Sequence, residues 1–191
     1  MKTIVHTSAR RRASAGVSTI ELAIILPILL MLVLGVIDFG RAILFNNILI
    51  NMSREGANLA SRTTQDRPAI ILVLNFTSSP LVMNEHGMVY ISRVKGVDGG
   101  NDTVIPVVQT QFRPRTTDGD MSLGSRLWTC PSWQSSGQCN VPANPQSRSV
   151  ALPVPLALGE EVDVVESMYE YLPFTNYVIN TPIVLYSSTF L

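Results

Sequence analysis

The sequence predicts an α+β protein in which a long N-terminal membrane-spanning helix continues into a small antiparallel β-sheet domain with a long loop. Three observations predict it. Sixteen consecutive residues, Leu22 to Ile37, carry no formal charge. A cluster of basic residues stands directly before them. Beyond residue 63 the composition changes: eleven of the twelve prolines lie there, among short β-branched runs.

The chain of 191 residues has room for one ordinary domain and an anchor. Hydrophobic residues make up 46% and charged residues 15%, below the roughly 25% of soluble domains. Fourteen Lys and Arg balance fourteen Asp and Glu, so there is no basic excess of the kind a nucleic-acid binder shows. Hydrophobicity this high also argues against disorder. Two cysteines and two histidines are too few for a self-contained zinc site.

Residues 1–16 contain Lys2, Arg10, Arg11 and Arg12 and no acid. The remainder holds ten basic and fourteen acidic residues, a net charge of −4. By the positive-inside rule the leader stays cytoplasmic and the C-terminal portion crosses. At 1.5 Å per residue, the uncharged run spans roughly 24 Å of the ~30 Å hydrocarbon core. Starting the span at Val17 places Glu21 inside it. The run leads into VIDFGRAILFNN without a small-x-small site, which disfavours an ordinary signal peptide. Pro27 removes the N–H that would bond residue 23, so it should kink or locally open the helix.

A carboxylate at the depth of Glu21 costs on the order of 2.5–3.5 kcal/mol unless partnered. A cut between Gly16 and Val17 would create an α-amino group four residues away. That amine, or a neighbouring subunit's, could neutralise the carboxylate; the alternative is a Glu that snorkels to the headgroups.

The helical pattern continues from Asp38 to Arg62, with Phe39, Ala42, Ile43, Phe45, Ile48, Leu49 and Met52 as its apolar stripe. Asp38 and Arg41 are spaced to pair. Gly56 inside a helix costs about 1 kcal/mol relative to Ala and permits a close approach by a neighbour. A short helix is expected over Pro68–Leu74, capped by Asp66. Strands are expected over Gly87–Val94, Thr103–Phe112, Glu161–Tyr171 and Ile183–Phe190, with VKGVDGGND as a hairpin connection. Pro106 suggests an edge strand or a bulge. Residues 113–159, rich in Pro, Gly, Ser and Gln, read as a long loop, mobile except where Cys130 and Cys139 staple it. Trp128 and Trp133 would pack over that staple or form a binding surface.

Catalysis finds little support, and no metal or cofactor is called for. His86 has no second His at zinc spacing. Asp98-Gly99-Gly100-Asn101-Asp102 lacks the rest of a calcium loop and reads as a turn. Glu160, Glu161, Asp163, Glu166 and Glu170 cluster on one strand and are expected to be mostly solvated.

The basic leader, Gly16, Glu21 and Pro27 resemble the class III signal of type IV pilins and pseudopilins. More closely, GVSTIELAIILPILLMLVLGVIDFGRAILFNN followed by SREGANLASR resembles the TadE-like minor pseudopilins of the tight-adherence (Tad, or Flp) pilus, with the TadF-like class as a sibling. The elements that match are Asp38, Gly40 and Arg41, then Arg54, Glu55, Gly56 and Ala57. Glu21-Leu22 replaces the Glu-Tyr of the major Flp-type pilin, and the long C-terminal portion suits a minor component. The resemblance implies a non-enzymatic subunit. A prepilin peptidase would cleave it, and it would sit in the inner membrane with its domain periplasmic. It would assemble with other minor pseudopilins, the major pilin and the assembly platform into an adhesive fibre. The organisation expected is a leader (1–16), a transmembrane and extended helix (17–62) and an extracytoplasmic domain (63–191). A signal-anchored periplasmic binding or accessory domain, neither cleaved nor polymerised, is the alternative.

Overall fold

The computed structural model describes residues 11–62, 66–115, 123–174 and 181–191, with side chains from residue 19 onward. The first element is a single helix, α1 (Arg11–Arg62), which continues through Pro27. Then come α2 (Arg67–Thr77), the one-turn α3 (Met83–His86) and four strands. These are β1 (Gly87–Asp98), β2 (Val104–Phe112), β3 (Glu161–Tyr171) and β4 (Ile183–Phe190). All neighbours are antiparallel, in the order β2-β1-β3-β4. The architecture is α+β.

The chain divides into two compact units. One contains the helix up to Arg41 together with residues 173–180; the other contains residues 42–172 and 181–191.

In the second unit, period-two alternation along the strands gives the sheet two apolar faces. Val89 and Ile91 of β1 and Val165, Tyr169 and Tyr171 of β3 meet Phe45, Leu49, Met52, Ala57 and Ala60 of α1 and Ile70, Ile71 and Leu74 of α2. The ring of Phe45 packs edge-on against both Tyr169 and Tyr171 at 5.5 Å. Ala42 and Ile48 pack beside this core, whereas Phe39 and Ile43, expected in the same stripe, are exposed. At 100° per residue the positions 45, 49, 52, 56 and 60 define one stripe, and residues 39 and 43 fall well outside it.

The opposite face of the sheet is covered by the segment expected to be a loop. Residues 123–159 contain one short 3₁₀ turn (Pro145–Arg148) and no strand, yet they form a third layer. Leu123 and Trp133 pack with Met88, Tyr90 and Met168, while Leu127, Trp128, Val150, Leu152 and Leu156 pack with Val94, Val108 and Val164. Cys130 and Cys139 are disulfide-bonded within this layer. The apolar residues responsible are separated by Pro, Gly and Ser without a period, so they present no pattern along the sequence.

β1 runs four residues beyond its expected end, which shortens the hairpin connection to residues 99–103. There the Gly99 amide donates to the Thr103 carbonyl (2.8 Å), and the Asp98 carboxylate accepts from the Gly100 amide (2.8 Å). Gly100, Asn101 and Asp102 all adopt positive φ, so these residues make a tight turn. Pro106 lies on edge strand β2, and the bulge is on β2 as well: Gln109 is the extra residue opposite the Arg93–Val94 step of β1. α2 extends three residues past its expected end, to Thr77.

Two acids expected in solvent are buried. Asp163 is 4% exposed, held by Arg93 through two bonds (3.0 and 2.9 Å) and by Arg67 of α2 (3.2 Å). The Asp163 carboxylate in turn raises the pKa of Arg93 further, chiefly through the hydrogen bond. Alongside, Lys95 pairs with Glu161 at 2.9 Å and draws the exposed Glu161 carboxyl below its ordinary range. Glu166 is fully buried on the opposite face of β3.

The helix comes close to the sheet domain's core at Gly56. A Cβ there would lie 2.8 Å from Leu74 Cδ1 and 3.0 Å from Val165 Cγ1, both in the packed core. A Cβ on Gly40 would meet nothing within 4 Å. Gly56→Leu should therefore destabilise the domain by about 2 kcal/mol through overpacking. Gly40→Ala should leave it unchanged or slightly firmer. Urea denaturation of the full chain in detergent micelles, followed by near-UV circular dichroism, measures both.

Candidate assembly site

Residues 19–37 of α1 are exposed on every side, and the helix is long and apolar enough to cross a membrane as a single-pass anchor. Because the apolar surface runs all round, this segment has the character of a lipid-facing helix and not of one that lies on a protein core. Glu21 is exposed on it, one residue before the uncharged run. The surroundings of Gly16 and of the Val17 side chain, and residues 1–10 of the leader, lie outside what the structure describes.

At the other end of the apolar run the helix carries a built polar site. Asp38 is 6% exposed, although its neighbours Ile37 and Phe39 are open. Its carboxylate accepts the Phe174 amide at 2.8 Å, and the Arg41 guanidinium lies 4.3 Å from the centre of the Phe174 ring. Asp38 and Arg41, one helical turn apart, thus grip one residue of the β3–β4 connection from its backbone and its ring. Both contacts, a charge-assisted hydrogen bond and a cation–π contact, go beyond what the i,i+3 spacing of Asp38 and Arg41 indicates. Nothing in the sequence around Phe174 marks it as the residue gripped. Gly40, between them, is exposed.

The second element, Arg54 to Ala57, splits by face. Gly56 and Ala57 are buried against the sheet, while Arg54 and Glu55 are exposed. Close packing at Gly56 lets polar groups of the helix reach the strands. The Ser53 hydroxyl hydrogen-bonds the hydroxyls of Ser187 (2.9 Å) and Thr189 (3.0 Å) on β4, and Ser167 of β3 donates to the Leu49 carbonyl at 2.9 Å. A serine within an apolar helical stripe is the one sequence signal that could have pointed to this contact.

Residues 16–58 match a family model described as TadE-like protein. This TadE-like segment covers under a quarter of the chain and contains Gly16, Glu21, Pro27, Asp38, Gly40, Arg41 and the Arg54–Ala57 element. No curated protein and no solved structure matches the chain. The match ends inside the part of α1 that packs on the sheet, so it takes in both the apolar anchor and the Gly56 contact.

The sheet domain beyond the TadE-like segment has its own organising group. The buried Glu166 carboxylate accepts from the Arg126 amide (2.9 Å), the Leu127 amide (3.0 Å), the Tyr186 hydroxyl (3.0 Å) and the Ser125 hydroxyl. Ser125 also receives a bond from Gln111 of β2 (3.1 Å). One carboxylate thereby ties the covering layer to β2, β3 and β4. Arg126 lies 4.4 Å over the Tyr186 ring. His86, the histidine considered for catalysis, stacks edge-on near Tyr169 at 6.2 Å.

Two outcomes follow from this cluster. Glu166→Ala leaves several buried donors without an acceptor and should cost about 3 kcal/mol, with Glu166→Gln milder. Trypsin cleavage after Arg126 in the folded protein should accelerate in the same order. Burial, together with the Glu166 carboxylate, raises the Tyr186 phenol above the ordinary tyrosine range. A folded pKa above the unfolded one means that the associated stability is complete below the unfolded tyrosine range. It is lost as pH rises through the folded value. Absorbance titration near the phenolate band should show a late-titrating tyrosine that Tyr186→Phe removes.

Proposed function

We propose that this protein is a non-enzymatic minor pseudopilin of a Tad-type pilus. The TadE-like segment suggests a protein of the Tad machinery. The observation that carries the finer reading is the arrangement at its start: Gly16-Val17, then Glu21 exposed on a helix whose next sixteen residues are apolar. In this reading a prepilin peptidase cuts between Gly16 and Val17 while the basic leader is still cytoplasmic. The domain stays on the periplasmic side until the assembly platform extracts the subunit.

Glu21 then supplies the registering charge. A carboxylate in hydrocarbon is costly, and the α-amino group of Val17 or of an adjacent subunit neutralises it only when the helices align. Pro27 leaves the Ala23 carbonyl without its intrahelical donor, a local opening that helix neighbours in a bundle accommodate. Asp38, Gly40 and Arg41 follow the apolar run, where a subunit contact would leave lipid. Priming or tipping the fibre suits a subunit with a domain this large, and adhesion is the use that the resemblance implies. Its partners would be the other minor pseudopilins and the major Flp-type pilin.

Mass spectrometry of the mature N-terminus tests the reading. In a host with the peptidase, the wild-type chain should begin at Val17, and Gly16→Leu should keep residues 1–16. Glu21→Ala should be cleaved normally yet fail to enter fibres. If wild type keeps its leader, the protein is a signal-anchored periplasmic domain instead.

A further inference from the structure

The two edges of the sheet are treated differently. β2 is closed by the covering layer: the Val150 amide donates to the Pro106 carbonyl (3.0 Å), the Cys139 amide to Gln111 (2.9 Å) and the Arg113 amide to Gly137 (2.9 Å). Arg148 adds a bond to the Val108 carbonyl (3.1 Å). Pro106 removes one donor from the strand, and β2 itself carries the bulge at Gln109. These are the usual devices by which a sheet edge is blunted.

Among the described residues β4 has none of them. Its sequence, IVLYSSTF, contains no charge, no Pro and no Gly, and its pairing with β3 runs without a register shift. Which groups point outward follows from the register. Asp163 and Leu191 exchange both backbone bonds (2.8 and 3.0 Å), so they are a hydrogen-bonded pair. Alternation along an antiparallel ladder makes Thr189, Ser187, Leu185 and Ile183 bond inward to β3. Val184, Tyr186, Ser188 and Phe190 therefore aim their N–H and C=O groups away from the sheet. Among the described residues no backbone group outside β3 pairs with them.

Four donors and four acceptors alternating along eight residues are matched by an extended polypeptide backbone. We propose that β4 is a strand-addition site that receives an extended, uncharged segment of another polypeptide as a fifth strand. The strand's own composition sets the partner's chemistry. Val184, Tyr186 and Phe190 flank the open edge on one face and Ile183 and Leu185 on the other, so β-branched or aromatic side chains fit beside them and charges do not. A second copy of β4 is the other occupant with matching chemistry, and the test below separates the two. This inference stands on the sheet edge and does not depend on the assembly reading.

Amide hydrogen exchange by NMR on the full chain in detergent micelles tests it. The probe is an eight-residue peptide of alternating threonine and valine, acetylated and amidated. Without peptide, Leu185, Ser187, Thr189 and Leu191 should be protected and Val184, Tyr186, Ser188 and Phe190 should exchange fast. Millimolar peptide should slow the second set by about tenfold or more in wild type and Ser188→Ala. Ser188→Pro removes only an outward N–H, so the inward set should stay protected while the peptide effect is lost. Val184→Pro serves in its place if Ser188→Pro loses the inward protection.

Unchanged exchange with peptide would overturn the proposal, as would an outward set already slow in dilute protein. Protection that grows with protein concentration alone would assign the edge to a second copy and overturn it as well.

Discussion

The contact on which the domain depends is the close approach of α1 to the sheet at Gly56. With no Cβ at that position, the helix backbone comes near enough for Leu74 and Val165 to fill the space a side chain would take. The same closeness brings Ser53 within hydrogen-bond reach of Ser187 and Thr189, and Ser167 within reach of the Leu49 carbonyl. Ala57 and Ala60 complete a strip of small residues along which the helix lies. Larger residues on this strip would separate the layers and break the hydroxyl bonds together with the apolar packing. Helix propensity alone would favour Ala over Gly here, so the tertiary contact outweighs the local cost.

One helix therefore meets two environments. Through residues 19–37 its surface is apolar all round; from Phe45 to Ala60 it is apolar on one stripe only. The change falls near Asp38 and Arg41, where the helix first binds another part of the chain through polar groups, at Phe174. The helix that packs on the sheet is thus continuous in sequence with a segment long and apolar enough to cross a membrane.

β3 carries the charge economy of the domain on its two faces. Asp163 is neutralised by two guanidiniums, and this ties the start of α2 to the sheet. Glu166, three residues on and facing the other way, is surrounded by uncharged donors, and this ties down a layer that has no ladder of its own. A buried ion pair is a weak source of net stability, but removing one member is expensive. Both acids consequently act as locks on which segment lies where. Across the same sheet, the layer anchored by Glu166 closes the β2 edge, while among the described residues only β3 bonds the β4 backbone.

The sequence by itself determined the elements whose signals are local. The extent of the apolar helix, the bounds of β3 and β4 and the Gly-Asn-Asp turn all follow from periodicity and composition within a window of a few residues. The placement of Pro106 at an edge and the pairing of Cys130 with Cys139 were legible for the same reason: each rests on the chemistry of one or two residue types. Only the tertiary structure decided that residues 123–159 form a layer, that Asp163 and Glu166 are buried, that Asp38 and Arg41 meet at Phe174, and which sheet edge the layer closes. Those outcomes depend on partners many tens of residues away. An acid on a strand has the same alternation whether water or four donors wait on that face, so no local pattern can distinguish the two.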